Sequence, residues 1–226
     1  MKNKDILDYY NSLAENYDQD RFGNSYGKYI HNQEKKILDK YLSKKNLKDN
    51  IDIACGTGRF LDFADTGVDF SPEMVKIAKS KFTNKSIELA DAMELPFDDN
   101  TFKNALAFHL FMHLNQNDLE LILEETHGIL KKDGLFIFDV PSEKRRKLTR
   151  YKAKDWHGGF QISIKTLKQS IGNEWTLVNY HGIGFFPIHH IPKKLRRYCV
   201  WLDTFLCNSI FKAYSSHLIF ILKKND

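Results

Sequence analysis

The residues best suited to binding chemistry begin with a glycine turn, DIACGTG, at positions 52–58. The turn lies between a short apolar run, predicted to be a buried strand, and a predicted helix. Gly56 and Gly58 permit positive φ angles and let a ligand approach the backbone closely, which is typical of loops that bind nucleotide-type ligands. A glycine turn can also serve only to pack a helix on a sheet, so the turn by itself does not establish a binding site.

Two further aspartates follow the next two apolar runs. Asp69 ends the run GVDF, and its carboxylate can accept hydrogen bonds from both vicinal hydroxyls of a ribose. Asp91 closes the following run, where a carboxylate can accept a hydrogen bond from an adenine amino group. The alternatives are a helix-capping residue at 69 and an ordinary loop acid at 91. Because the carboxyl ends of parallel strands meet at one edge, we expect both aspartates and Asp52 to converge on one crevice.

The spacing disfavours a nicotinamide dinucleotide as the ligand. A dinucleotide turn has a third glycine and an acidic residue about 20 positions further on. Here Leu61 occupies the third glycine position, and Asp69 comes only eleven residues after Gly58.

Two histidines are candidates for acid–base catalysis. His109 and His113 lie at and just past the fourth predicted strand, and an imidazole is a suitable general base at neutral pH. A structural role is the alternative, and His113 can equally cap the next helix. The three cysteines have no CxxC spacing, so we expect neither a disulfide framework nor a metal site, and Cys55 is expected to be a small buried residue.

Short apolar runs alternate with helix-like segments, as expected for a parallel sheet flanked by helices. The runs are NIDIAC, GVDF, SIELADA, NALAFHL, GLFIFDV, EWTLVNYHGIGF and HLIFILKK. Two amphipathic helices open the chain, and Ser71 with Pro72 is predicted to begin a helix, as is Asn117 with Glu120. Another helix is expected near 163–171. The basic stretch 142–159 is interpreted as a surface insertion without clear apolar periodicity.

Composition limits the class of protein. The chain has 226 residues, 42% of them hydrophobic and 13% aromatic, which suffices for one well-buried core. No apolar run approaches the roughly 18 to 20 residues that span a bilayer, and the opening MKNKDILDYY lacks the apolar stretch of a secretory signal, so a cytoplasmic location is expected. A net charge of +5 is too small to indicate nucleic acid as a partner.

Four stretches together resemble the class I S-adenosylmethionine-dependent methyltransferases, especially the type 11 branch that includes the C-methyltransferases of ubiquinone and menaquinone biosynthesis. They are IDIACGTG, GVDFSPEMVKIAK, ADAMELPFDDNTF and the pair AFHLFMHL with ILKKDGLFIFDVP, in the family's order and spacing over roughly residues 51–141. Ala54 stands where the family usually has its first glycine.

The resemblance implies an α/β fold, a doubly wound and mostly parallel sheet of seven strands in the order 3-2-1-4-5-7-6. The opening YYNSLAENYD resembles the helical lid that precedes the core in this family. We therefore expect one methyltransferase domain over residues 1–226, with a lid at 1–45, a cofactor-binding core at 46–141, and a C-terminal part at 142–226 that carries substrate-side insertions and the last two strands.

The resemblance also implies S-adenosyl-L-methionine as the cofactor. Asp52 would meet its amino group, Asp69 would hold the ribose, and the residues around Asp91 would frame the adenine. The complete predicted cofactor set is Tyr17, Asp52, Ala54, Cys55, Gly56, Thr57, Gly58, Asp69, Phe70, Met74, Asp91, Ala92, Met93, Phe108 and His109.

The expected acceptor is a small molecule, such as a metabolite, a quinone precursor, a sugar or a lipid-linked intermediate, methylated on oxygen, carbon or nitrogen. Candidate substrate-side residues are Tyr10, Arg145, Trp156 and His157. The basic cluster at 144–154 can attract an anionic acceptor, although a solvated loop explains it as well. The basic and apolar segment 193–206 can contact a membrane surface, although a packed amphipathic helix is the alternative.

Other functions stay open at this point. An RNA methyltransferase fits the positive charge, but the sequence shows no appended RNA-binding module. A non-catalytic S-adenosylmethionine-binding protein fits the same fold. A monomer or a homodimer is expected.

Overall fold

The computed structural model describes residues 2–43, 46–153 and 158–226, and its strands form one seven-stranded sheet. The strands are β1 Asn50–Ile53, β2 Thr66–Asp69, β3 Ser86–Leu89, β4 Phe102–Ala107, β5 Leu130–Pro141, β6 Trp175–Ile183 and β7 His217–Lys224. Their order is β3-β2-β1-β4-β5-β7-β6. Strand β7 runs antiparallel to both of its neighbours, and the other neighbouring pairs are parallel. The predicted α/β fold and strand order are therefore confirmed.

Eight α-helices flank the sheet within the described ranges. They are α1 Lys2–Leu13, α2 Tyr17–Phe22, α3 Ser25–Tyr41, α4 Pro72–Lys81, α5 Gln116–Ile129, α6 Glu143–Thr149, α7 Ile164–Ser170 and α8 Lys193–Asn208. The first predicted helix is divided by a 3₁₀ turn at Ala14–Asn16, so Tyr10 and Tyr17 belong to different helices. No helix in these ranges is long and apolar enough to cross a membrane.

Capping residues set where the helices begin. Ser71 caps α4 by accepting a hydrogen bond from Met74 N, as predicted. The predicted start of α5 at Asn117 is wrong, because Asn115 and Asp118 form a reciprocal capping box two residues earlier. The basic stretch expected to be an irregular insertion contains α6, which Ser142 caps.

The predicted helix after the glycine turn is also wrong. Residues 54–65 form successive turns in which N–H groups bond three residues back, such as Phe63 N to Phe60 O at 2.8 Å. About a dozen residues barely suffice to cross between parallel strands, which leaves no room for a full helix after the turn. Instead, the buried rings of Phe60 and Phe63 pack with Leu38 of α3 on this face of the sheet.

The two faces of the sheet pack against different helices. On one face, Ile51 of β1 packs in a cluster with Leu119 of α5. On the other, Leu106 of β4 packs with Leu38 of α3. Because side chains alternate along a strand, Asp52 points to the α3 face. The carboxyl ends of β1 to β4 therefore present both apolar surface and a buried acid at one edge.

Candidate active site

A cleft opens at the carboxyl ends of β1 to β4, under helices α1 and α2. It consists of two adjoining cavities of about 110 and 80 Å³. Both are lined by Ile6 of α1, by Ala54 after β1, and by Phe70 after β2. We call these two cavities the cleft. An inner cavity of about 30 Å³ adjoins it and shares Ala54 and Gly56 with its larger part.

Asp69 stands in the larger part of the cleft, at the end of β2. Its carboxylate accepts hydrogen bonds from Gly56 N at 2.7 Å and Ser71 N at 2.9 Å. Burial raises the pKa of Asp69 to about 6, and these backbone donors limit the rise. The acid therefore links the glycine turn to the start of α4 and still faces the cleft.

Asp52 stands in the inner cavity and is only 2% exposed. Burial raises its pKa to about 8, while the positive charge of Arg59 offsets part of the rise and the negative charge of Asp69 adds to it. Within the described ranges, no hydrogen bond reaches the Asp52 carboxylate. It is thus a buried acid beside a cavity, without a donor to stabilise its ionised form.

The glycine turn has the conformation that the sequence predicts. Gly56 has φ +56° and Gly58 has φ +90°. A Cβ at Gly58 would lie 2.6 Å from the Phe82 ring, whereas a Cβ at Gly56 would meet no atom within 4 Å. Ala54 also adopts a positive φ of 57°, a strained conformation for a residue with a side chain. The backbone therefore leaves open space at Gly56, beside the inner cavity.

The smaller part of the cleft is mostly apolar and ends at Asp91. Asp91 Oδ1 accepts a hydrogen bond from Met93 N at 2.9 Å, which folds residues 91–94 into a tight turn. Ala92 and Met93 line this part together with Phe70. The result is an apolar slot with a carboxylate at its edge.

A buried charged cluster lies beside the inner cavity. Glu34 of α3 is 0% exposed, forms an ion pair with Arg59 and is hydrogen-bonded to His109, whose Nε2 lies 2.9 Å from Glu34 Oε1. Burial would raise the pKa of Glu34, but the adjacent Arg59 and His109 outweigh it and hold the pKa at about 2. The Arg59 guanidinium lies between the rings of Phe22 and Phe60, 4.1 and 4.0 Å from their centres.

His109 lines both the cleft and the inner cavity. It has a positive φ of 62°, and its backbone N–H donates to Asp139 Oδ1 at 2.6 Å. A strained backbone that is held by a buried acid fixes the direction of the ring. Glu34 and Arg59 were not among the predicted site residues. A signal existed for Glu34, which interrupts the apolar stripe of Ile30 and Leu38 at helical spacing.

Helices α1 and α2 are tied to the core by side-chain hydrogen bonds. Tyr10 Oη and His113 Nε2 lie 2.6 Å apart, and Ser71 Oγ donates to Asn11 Oδ1 at 2.6 Å. Asp18 accepts a hydrogen bond from Thr57 Oγ1 at 2.5 Å and pairs with Lys81. His113 therefore contacts α1, and the cap of α5 is Asn115 instead.

The predicted site residues gather around these cavities, with few exceptions. Gly58 borders a neighbouring surface groove together with Asp18. Arg145 lines none of the described cavities, while Arg146 turns inward to donate to Gly158 O and Phe160 O. Trp156 and His157 lie outside the described residues. Those that line the cleft or the inner cavity are Tyr10, Tyr17, Asp52, Ala54, Cys55, Gly56, Thr57, Asp69, Phe70, Met74, Asp91, Ala92, Met93, Phe108, His109 and His113.

Two further expectations concern cysteine and metal. Cys55 is buried, and burial raises the pKa of its thiol well above the ordinary value, so it is not a reactive thiolate. In the part of the chain that the structure describes, no group of three or more His, Cys, Asp or Glu residues could hold a metal ion.

Comparison with known proteins places these features in a family. A family model described as a methyltransferase domain matches residues 51–138. An uncharacterized protein of Methanocaldococcus jannaschii is 31% identical over 97% of this chain and 90% of its own length. Demethylmenaquinone methyltransferase of Staphylococcus aureus strain MRSA252 is 31% identical over 46% of each chain, so this chain spans about half the length of that enzyme.

Solved structures of methyltransferases share the fold. Magnesium protoporphyrin IX methyltransferase of Synechocystis, determined with bound S-adenosylhomocysteine, superposes with a TM-score of 0.68 over 99% of this chain and 100% of that one, at 13% identity. The chain belongs to the class I S-adenosylmethionine-dependent methyltransferases, which use S-adenosylmethionine as the methyl donor.

Proposed function

We propose that this methyltransferase transfers the methyl group of S-adenosylmethionine to an oxygen or carbon atom of a small, largely apolar acceptor, with His109 as the general base. The chain would act as one domain, in which residues 1–45 form the lid, 46–141 the cofactor-binding core and 142–226 the substrate-side part.

The observation that carries the proposal is that one acidic and one basic side chain line the same cavity at the glycine turn. Asp52 and Arg59 both line the inner cavity. A carboxylate suits an ammonium group and a guanidinium suits a carboxylate, so together they complement an α-amino acid. The hydrogen bonds that Arg59 makes within the described ranges all use Nη1, which leaves other N–H donors for a ligand.

The cleft beside this cavity complements an adenosine. The apolar slot between Phe70 and Met93 suits a flat base, and Asp91 at its edge can accept from an exocyclic amino group. Asp69 lies between the slot and the glycine turn, where a ribose would join the two ends of the ligand. The donor and acceptor groups therefore fit S-adenosylmethionine along its whole length.

When bound, the cofactor supplies an electrophilic sulfonium methyl carbon, so the protein has to orient the acceptor and exclude water. An oxygen or carbon acceptor loses a proton as it takes the methyl group. His109 borders both cavities, and its Nε2 is held by Glu34. A neutral ring that donates from Nε2 to Glu34 carries its basic lone pair on Nδ1, which can take the acceptor's proton.

An apolar acceptor is favoured by the walls beneath the lid. Ile6, Leu7, Leu110 and Leu114 line the larger part of the cleft, and its polar groups are few. The names of two similar proteins also give ring compounds as acceptors, a demethylmenaquinone and a magnesium protoporphyrin. A sugar would leave many hydroxyl groups without partners against such walls.

The first test is calorimetric titration with S-adenosylmethionine, S-adenosylhomocysteine and NAD, followed by an acceptor screen that measures S-adenosylhomocysteine production. We expect binding of both sulfur compounds, no binding of NAD, and turnover with hydroquinones, sterols or hydroxylated porphyrins. Turnover with sugars alone, or with transcript RNA alone, would overturn the acceptor class. Binding without turnover across a broad panel would favour a non-catalytic role.

The role of His109 is tested by His109→Gln, with His181→Gln as the control because His181 is also a half-buried, hydrogen-bonded histidine, lining neither the cleft nor the inner cavity. For His109→Gln we expect kcat to fall by about 100-fold with little change in the Kd of the cofactor. Equal kcat values for the two variants would remove His109 from the proton transfer.

A further inference from the structure

Helix α8 carries its large apolar residues on its outer face. Trp201 is 72% exposed, Tyr198 61% and Phe205 59%, whereas Asp203 of the same helix is 0% exposed. At 3.6 residues per turn, these three aromatic residues and Lys194 share the face opposite Asp203. The helix therefore packs on the protein through its inner face, which includes the buried Cys207, and its large aromatic residues remain uncovered.

Hydrogen bonds on the inner face fix this orientation. Asp203 Oδ2 accepts from Tyr29 Oη at 2.5 Å and from Gln33 Nε2 at 3.2 Å, and Oδ1 accepts from Phe186 N at 2.5 Å. Turning α8 over would break these bonds and leave polar groups of α3 without their acceptor. The exposed aromatic face is therefore part of the folded structure.

We propose that this face docks the enzyme on the surface of an anionic lipid bilayer. The α8 patch consists of Leu195, Tyr198, Trp201, Leu202 and Phe205, and the exposed Ile210 and Phe211 directly follow the helix. Trp201 and Phe205 stack on each other with ring centres 6.3 Å apart, which makes one continuous apolar ridge. Amphipathic aromatic side chains of this kind are favoured at the boundary between lipid headgroups and acyl chains.

The charge around the patch is complementary to an anionic surface. Lys194 lies on the outer face of α8 and Arg197 borders it, whereas Arg196 and Lys212 turn toward the body of the protein to donate to Ser25 Oγ and Tyr180 O. The only acid in the segment 193–214 is Asp203, which is buried and hydrogen-bonded. Arg197 lies 4.7 Å from the centre of the Tyr198 ring and donates to its hydroxyl at 2.6 Å, so positive charge borders the apolar ridge.

The same charges disfavour a second copy of this chain as the occupant. A twofold interface would bring together two α8 patches that both carry positive charge from Lys194 and Arg197. The segment offers no exposed carboxylate to pair with them. Anionic headgroups remove this repulsion, and each basic residue then adds to the binding.

The position of α8 also relates the docking surface to the active site. Arg196 hydrogen-bonds to Ser25, the first residue of α3, and α3 supplies Glu34. A membrane on the outer face of α8 would thus be separated from α3 only by α8 itself. Docking does not depend on the proposed function, because it requires neither the cofactor nor the acceptor.

The test is co-sedimentation of the full chain, without cofactor or acceptor, with vesicles of phosphatidylcholine alone and with vesicles that also contain phosphatidylglycerol. We expect binding to the mixed vesicles that weakens at high salt, and little binding to phosphatidylcholine alone. The double variant Trp201→Ser/Phe205→Ser should lower the partition coefficient by at least about tenfold. Leu121→Ser/Val178→Ser removes two similarly exposed apolar side chains elsewhere and should change little.

Three results would overturn the proposal. They are no binding to the mixed vesicles, equal binding by the Trp201→Ser/Phe205→Ser variant and the control, and a solution dimer of the wild type that this variant converts to a monomer. The last result, measured by light scattering, would assign the patch to self-association. Circular dichroism and thermal unfolding of both double variants confirm that each is folded, so loss of binding is attributed to the patch.

Discussion

Two aspartates at the ends of neighbouring strands differ in how the fold treats their charge. Asp69 at the end of β2 accepts two backbone hydrogen bonds, and its pKa is raised by burial only to about 6. Asp52 in β1 accepts none from the described residues, and burial raises its pKa to about 8, although Arg59 opposes the rise. The Asp69 carboxylate thus has its own hydrogen-bond donors, whereas the Asp52 carboxylate has none among the described residues.

Because of this difference, we expect the two aspartates to contribute to ligand binding in different ways. A carboxylate with its own donors is fixed in place and can receive ribose hydroxyls without rearrangement. A buried carboxylate without donors destabilises the free protein when ionised, and a bound ammonium group would relieve that cost. The free energy of binding an ammonium group at Asp52 should therefore depend on the charge of the carboxylate. The free energy of binding ribose hydroxyls at Asp69 should depend on hydrogen-bond geometry.

Asp52→Asn should have the largest effect on binding. Without the negative charge, the ammonium group of S-adenosylhomocysteine has no counterion, and we expect a loss of about 3 kcal/mol in binding free energy, or more than 100-fold in Kd. The same change should stabilise the free protein. Between about pH 4 and pH 8 the folded state holds a proton on Asp52 that the unfolded state has released, so stability falls as pH rises through this window.

The free energy of unfolding at pH 8 should accordingly rise by about 1–3 kcal/mol in Asp52→Asn. Asp69→Asn is the matched control, because its amide nitrogen would face either Gly56 N or Ser71 N in place of an acceptor. That variant should lose about 1–2 kcal/mol of stability. Urea unfolding of both variants at pH 8 measures whether each substitution raises or lowers the free energy of unfolding. Stabilisation by both substitutions would show that the two aspartates do not differ as described.

Asp69→Ala should have the next largest effect and should act on a different part of the ligand. If Asp69 holds both ribose hydroxyls, binding of S-adenosylhomocysteine weakens by roughly 2 kcal/mol. Binding of adenosine alone should weaken by a similar amount, whereas Asp52→Asn should leave adenosine binding unchanged. Calorimetric titration of both ligands against both variants checks this. An equal loss of adenosine affinity in Asp69→Ala and Asp52→Asn would contradict the proposed difference between the two aspartates.

Much of this site could be predicted from the sequence, because strand ends carry local signals. Asp52 lies in the first short apolar run, Asp69 and Asp91 close the next two, and the parallel sheet brings the carboxyl ends of these runs together. Gly56 and Gly58 were recognisable because glycine adopts a positive φ more readily than any other residue. The strand order was predicted from the family resemblance, and the structure confirms it.

The parts that were missed depend on contacts between distant segments. Arg59 became a candidate only when the fold placed it between two phenylalanine rings and beside Glu34. The predicted helix after the glycine turn failed because periodicity does not measure the length available between two strands. The outward face of α8 could not be predicted, since the spacing of apolar residues does not say which face turns inward until Asp203 meets its donors on α3.

The pH dependence of binding separates the two ends without mutation. A bound ammonium group should lower the pKa of Asp52 from about 8, so the affinity for S-adenosylhomocysteine should rise between pH 6.5 and 8, by up to about tenfold in total. Binding should release up to one proton in this window. Calorimetry in buffers of different ionisation enthalpy counts the protons. A pH-independent affinity of the wild type would contradict the proposal. An affinity that depends on pH in the wild type but not in Asp52→Asn would support it.

The smallest effect is expected at the lid. Tyr10→Phe removes the 2.6 Å hydrogen bond to His113 Nε2 but keeps the ring, whose edge-on contact with Tyr17 persists. We expect the binding free energy of S-adenosylhomocysteine to weaken by about 0.5–1 kcal/mol, because the lid is held over the cleft less firmly. Ser12→Ala, which removes an exposed hydroxyl on the same helix, is the control. Since the lid covers both ends of the cleft, Tyr10→Phe should weaken adenosine and S-adenosylhomocysteine equally. A loss of affinity for only one of these two ligands would contradict this expectation and would indicate that Tyr10 acts at one end of the cleft.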